Sequence, residues 1–157
     1  MILPNGVTGF FDSVDTPQTK VNGKQFKQIC ITIAIHNGGK IIAFKEPEYP
    51  MNFYSVYVEF FNKQFHILLN EYYPNLAFAS IVEFGNIEFI DIPILYKQFN
   101  PFYKVLNTSE LNNPVTLINS SKKSIIQNNN ELNSTELKEI VFWKLKTVGE
   151  IIFNYWD

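Results

Sequence analysis

Between Phe53 and Ile92 the apolar residues come in short runs, each closed by residues that favour turns. Tyr54, Val56, Val58 and Phe60 alternate with their neighbours, and so do Phe65, Ile67 and Leu69. Successive side chains of a strand point to opposite faces, so such alternation marks strands packed on a core. Asn62-Lys63, Pro74-Asn75 and Gly85-Asn86 separate these runs from Leu76–Phe84 and Ile87–Ile92. Turn residues at these intervals predict an antiparallel meander. The stretch 53–72 also has a second period. Phe53, Tyr57, Phe61, Phe65, Leu68 and Tyr72 recur every three or four residues, which suits a helix. The β-branched and aromatic content and the lack of alanine favour strands, with the helix left as the alternative.

The flanks extend this pattern. Residues 1–24 are rich in turn signals, at Asn5-Gly6, Thr16-Pro17 and Asn22-Gly23, with Phe10 and Phe11 as anchors to a core. From Gln28 to His36 the sequence alternates, with Ile29, Ile31, Ile33 and Ile35 on one face, and this predicts a strand. Asn37-Gly38-Gly39 then predicts a hairpin turn into a returning strand at Lys40–Phe44, which Pro47 and Pro50 end. Pro93 at a first helical position predicts a short helix over Pro93–Phe99. Residues 118–135 are polar and poor in aromatics and predict a surface loop. Ile140–Leu145 suits a strand. Thr147 and Glu150 have the spacing of a capping box, predicting a short C-terminal helix that carries Ile151, Ile152, Tyr155 and Trp156 into the core. The expected architecture is α+β: a single globular domain over residues 1–157, with an antiparallel meander and a few short helices.

Composition narrows function. All 13 basic residues are lysine, and there are one cysteine and two histidines. Arginine is the usual fork for phosphate and carboxylate, and His and Cys do most acid–base, metal and nucleophilic work. Together with 18 asparagines, lysine without arginine is also what an AT-rich coding sequence produces. At a net charge of −2 with no basic stripe visible, no nucleic-acid partner is expected. Between residues 46 and 95, seven carboxylates face the single Lys63. They are Glu46, Glu48, Glu59, Glu71, Glu83, Glu88 and Asp91, and they make a candidate docking surface for a cationic partner. One cysteine excludes an intramolecular disulfide. No signal peptide and no apolar run long enough for a membrane span is visible, so the expected home is the cytoplasm. The three Asn-x-Ser/Thr patterns, at Asn107, Asn119 and Asn133, carry no expectation of glycosylation in that compartment.

Candidate chemistry is sparse. His66 near Glu71 is a possible acid–base pair, but a five-residue offset on a strand sets them on opposite faces. His36 and His66 lack metal-ligand spacing, and Cys30 sits among isoleucines without an evident base. Glu83, Glu88 and Asp91 flank the Gly85-Asn86 turn and are the best carboxylate constellation for a hydrolase. Phosphate-cradling glycine motifs are absent. No catalytic residue, metal site or cofactor is therefore assigned.

The C-terminus carries a resemblance. Phe142-Trp143-Lys144, followed by Thr147-Val148-Gly149-Glu150-Ile151-Ile152-Phe153-Asn154-Tyr155-Trp156-Asp157, resembles the closing signature of small bacterial immunity proteins of polymorphic toxin systems. Leu145 stands where those families commonly have proline. Upstream, Tyr73-Pro74 and Leu76-Ala77-Phe78-Ala79 are similar to them in style. The resemblance implies a non-enzymatic protein that neutralises a cognate toxin by surface complementarity, and it assigns no functional residue. The alternatives are a small hydrolase using a carboxylate pair and an interaction domain that self-associates through exposed aromatics. The partner's identity and the oligomeric state stay open at this level.

Overall fold

The computed structural model of the chain describes residues 1–12, 19–120 and 123–156. The elements run α1 (Gly23–His36), β1 (Lys40–Lys45), β2 (Phe53–Phe60), β3 (Lys63–Asn70), β4 (Asn75–Glu83), β5 (Asn86–Ile90), α2 (Pro93–Phe99), β6 (Lys104–Val105), α3 (Thr108–Leu111), β7 (Leu117–Ser120), β8 (Lys123–Ile126), α4 (Ser134–Phe142) and α5 (Val148–Ile152). Strands β1 to β5 form the antiparallel meander in sequence order, and β6 adds in parallel to the start of β4. The protein is thus α+β, and the stretch 53–72 is a hairpin. Phe61 and Asn62 make its two-residue turn, both with positive φ (55° and 61°). That conformation matches the twist of the flanking strands.

The sheet is covered on both faces. One face takes Val56, Val58, Phe65, Ile67, Leu76 and Phe78 of the strands against Phe26, Cys30 and Ile33 of α1 and Leu95 and Phe99 of α2. The other takes Phe53, Leu68, Ala77 and Ala79 against Leu3, Val7, Leu111, Ile140, Ile151, Ile152 and Phe153. Covering both faces explains why β2, β3 and β4 are buried along most of their length.

Four local expectations are corrected. Residues 28–36 belong to a helix. Asn22, expected in a turn, is its N-cap and accepts from the Gln25 N–H (3.0 Å). Phe26, Cys30, Ile33 and Ala34 form the buried face at helical spacing, and Ile35 is 75% exposed. Asn37-Gly38-Gly39 ends this helix instead of turning a hairpin. Gly38 has φ +66°, Gly39 N–H donates to the Ala34 carbonyl (2.8 Å), and Gly38 N–H donates to that of Ile35 (3.3 Å). The αL residue that suits a hairpin suits a helix stop equally. Residues 118–135 contain the β7–β8 hairpin and the start of α4. Residues 140–142 close α4 as helix, and no strand runs to Leu145. The turn expected at Thr16-Pro17 lies outside the described residues.

Asn107 and Asn133 cap α3 and α4, each in a full capping box with Glu110 or Glu136. The sequence Asn-Ser/Thr-Ser/Thr-Glu at both places is a helix start, which accounts for two of the three Asn-x-Ser/Thr patterns.

Glu136 does more than cap. Its carboxylate is fully buried and accepts from Gly6 N–H (2.8 Å), Thr8 N–H (3.0 Å), the Thr8 hydroxyl (2.5 Å) and Asn133 N–H (3.1 Å). Burial raises its pKa above the ordinary 4.5, and these donors oppose the rise. Val7, between its two partners, has its carbonyl bound by Asn52 Nδ2 (3.2 Å) and Asn70 Nδ2 (2.8 Å). The same two amides reach the last carbonyls of α5, at Ile151 (3.4 Å) and Ile152 (2.8 Å). Glu136→Gln turns an amide N–H₂ towards these donors. We expect a loss of about 2–4 kcal/mol in urea unfolding; a loss under about 0.5 kcal/mol would refute this latch.

Candidate functional site

The C-terminal segment is placed by its own caps and by its buried half. Thr147 caps α5, its hydroxyl accepting from Glu150 N–H at 3.3 Å. The Glu150 carboxylate reaches one residue further back, to Lys146 N–H (2.7 Å), so the expected box is met on the threonine side only. Gly149 is tightly enclosed: a Cβ there would lie 2.5 Å from the Phe89 ring and 2.9 Å from the Leu111 carbonyl oxygen. Ile151, Ile152 and Phe153 fill the core. Tyr155 and Trp156 follow the helix, and Trp156 meets Phe10 edge-on at 5.2 Å. Most of the C-terminal signature therefore builds scaffold. Asp157 lies outside the described residues.

The signature's other half faces solvent. Phe142 (71% exposed) and Trp143 (39%) stand at the end of α4 in a T-shaped pair, 5.1 Å between centroids. The Trp143 indole N–H donates to Glu139 (2.9 Å), which sets the ring's orientation. Beside them a cleft of about 330 Å³ opens between this segment and the β4–β5 turn. Trp143 and Tyr155 supply aromatic wall, Lys144 and Lys146 positive charge, and Glu83 and Glu150 negative charge. Trp156 also lines it, and its buried indole N–H has no acceptor among the described residues. Aromatic anchors with a rim of mixed charge suit the side chains of a protein partner.

The seven carboxylates expected as a docking surface are spread over the sheet. Glu46 and Glu48 are exposed beyond β1 at one edge, and Glu83 and Glu88 are exposed on β4 and β5 at the other. Glu59 pairs with Lys40 (3.5 Å), and Glu71 pairs with Lys20 (3.1 Å). Asp91 holds the start of α3, accepting from Thr108 N–H (3.0 Å) and hydroxyl (2.7 Å). Of the seven, Glu83 lines the cleft.

The carboxylate trio is divided between two places in the fold. Glu83 lies opposite Asn86 and Glu88 opposite Ile81, so the two glutamates are diagonal neighbours, and Asp91 is committed to α3. Cys30 lies on α1, where burial pushes its thiol up to about 12. His36 is exposed on the last turn of the same helix. His66 stacks on Tyr57 at 4.7 Å, with the Ser55 hydroxyl 3.5 Å from Nδ1. Sequence reading missed Ser55, because cross-strand pairing places it there. Among the described residues no group of three or more His, Cys, Asp or Glu is arranged to hold a metal, and no helix is long and apolar enough to cross a membrane.

The chain is an α+β protein whose surface cleft is built from its C-terminal segment and one hairpin turn. No family model, curated protein or solved structure matches it.

Gly149→Ala tests the scaffold role of the signature glycine. The added methyl meets a ring and a backbone oxygen, so we expect a loss of about 1–3 kcal/mol. Unfolding at the wild-type midpoint would contradict it. His66 gives a pH signature. Burial lowers its pKa from 6.5, so the folded state holds the imidazole neutral better than the unfolded chain does. That contribution is complete above 6.5 and is lost as pH falls through the lower folded value. Wild type should therefore lose more stability than His66→Gln on acidification across this window, and parallel stability curves would count against it.

Proposed function

We propose that this chain is a non-enzymatic immunity protein that neutralises a cognate bacterial toxin in the cytoplasm by surface complementarity. The observation that carries this reading is the exposed Phe142–Trp143 pair, of which Trp143 lines the C-terminal cleft. Two adjacent large aromatics, one oriented by a hydrogen bond, are a costly surface for a protein with no partner. The resemblance of residues 142–157 to immunity proteins supports the same reading. Its buried part, with Gly149, Ile151, Ile152 and Phe153, closes the core of this chain. Its exposed part supplies anchors. A neutralising protein needs a stable scaffold and one complementary face, and it needs no reactive group. Glu83 and Glu150 beside Lys144 and Lys146 give that face a charge pattern able to discriminate between partners.

The test is co-expression with the toxin encoded by a neighbouring gene, followed by calorimetric titration of the purified pair. We expect a 1:1 complex. The Phe142→Ala/Trp143→Ala double variant should bind at least about tenfold more weakly, with its melting temperature little changed because both rings are exposed. Failure of any adjacent large secreted protein to form a complex would refute the proposal. Undiminished affinity of the double variant would remove the cleft from it.

A further inference from the structure

Trp156 carries two unfavourable features at once. The residue is only 5% exposed, and its indole N–H is closed to water and has no acceptor among the described residues. A buried donor without a partner costs the folded state its desolvation penalty. The backbone of Trp156 has φ 56°, in the left-handed region that a large side chain rarely enters. Asn154 holds that turn, its Oδ1 accepting from the Trp156 main-chain N–H (3.1 Å). Trp156 lines the C-terminal cleft, together with four side chains that carry acceptors: Glu83, Asn86, Glu150 and Asn154. None of the four bonds the indole. Glu150 is engaged by the Lys146 N–H (2.7 Å), and Asn154 by the turn.

We propose that Trp156 is a binding residue of the cleft, and that its indole N–H takes its acceptor from the side-chain carboxamide of a partner glutamine. This rests on the reading of the cleft as the partner-binding face. Charge argues for a neutral occupant. Lys144 and Lys146 balance Glu83 and Glu150, and among the described residues none of the four is in an ion pair. A charged side chain entering there meets a like charge whichever its sign. A carboxamide is neutral, and it offers an acceptor and donors together. Its carbonyl supplies what Trp156 lacks, and the exposed Glu83 accepts from its N–H₂ group. The methylenes of glutamine run along Trp143 and Tyr155 and reach a donor that lies below the surface. Asn154 and Tyr155 are only partly buried, so this wall can make the small shift that admits the carbonyl. Binding then removes a penalty that the free protein already carries, and affinity rises by that amount.

The test uses the full isotope-labelled chain. Its two tryptophans give two indole N–H resonances, assigned with Trp143→Phe. Capped tripeptides with glutamine, glutamate or lysine between glycines are titrated to high millimolar concentration. The glutamine peptide should move the Trp156 indole signal downfield and slow its exchange with water. Its shifts should be at least about threefold larger than those from the other two peptides. In the toxin pair of the preceding subsection, Trp156→Phe should bind at least about tenfold more weakly. Its unfolding midpoint should lie close to that of the wild type, because the unsatisfied donor leaves with the indole. Equal shifts from the three peptides, or none from the glutamine peptide, would overturn the proposal. So would an upfield indole signal that no peptide moves, which would assign the Phe10 ring, 5.2 Å away and edge-on, as the acceptor. Full toxin affinity of Trp156→Phe would refute this inference and leave the immunity reading standing. A selective glutamine response without any toxin complex would support the site and refute that reading.

Discussion

The structure depends on a short piece of irregular backbone that is buried. Gly6, Val7 and Thr8 lie inside the protein without belonging to a helix or sheet. The Val7 N–H and the Gly6 carbonyl close backbone turns with Pro4 and Gly9, and the Gly6 and Thr8 N–H groups and the Val7 carbonyl are met by side chains. Glu136 takes the N–H groups of Gly6 and Thr8, and Asn52 and Asn70 take the carbonyl of Val7. Each of these side chains also binds a second element. Glu136 belongs to the start of α4, and Asn52 and Asn70 flank the β2–β3 hairpin and bind the end of α5. The first residues, the sheet and the last two helices are therefore held at one satisfied polar cluster. Removing any member leaves a desolvated donor or acceptor, which is where hydrogen bonds weigh most.

Around that cluster the aromatic residues divide by place. Phe26, Phe53, Phe78, Phe99 and Phe153 are fully buried on the two faces of the sheet, in tilted or edge-to-face contacts that suit their quadrupoles. Phe142 and Trp143 emerge where α4 ends, because Lys144 takes a left-handed conformation (φ 54°) and turns the chain away. The C-terminal signature spans both kinds of position. Gly149 exists for a close approach to Phe89 and Leu111, and the exposed pair belongs to the surface.

Charge is mixed along the β1 edge. Lys40 and Lys45 are exposed on the strand and Glu46 and Glu48 are exposed just beyond it, while at the other edge Glu83 and Glu88 are exposed on β4 and β5.

The meander over residues 53–92, the Pro-initiated α2 and the Thr147-capped α5 were legible in the sequence by itself, because alternation and capping residues are local properties. The turns of the β2–β3 and β4–β5 hairpins fall one residue before Asn62-Lys63 and Gly85-Asn86, and Asn37-Gly38-Gly39 ends a helix. The starts of α3 and α4 were written in their Asn-Ser/Thr-Ser/Thr-Glu boxes and hidden by their likeness to another pattern. Tertiary structure alone decided α1. Ile29, Ile31, Ile33 and Ile35 alternate as a strand would, and Phe26, Cys30, Ile33 and Ala34 recur as a helix would. Packing of the second set against the sheet selects the helix and leaves Ile35 in water. The latch and the cleft were beyond local pattern for the same reason. Gly6 and Glu136 are 130 residues apart, and the cleft joins residues 83–86 to residues 143–156. Which side chains meet over such separations is set by the burial of both sheet faces at once, and a local period carries no record of it.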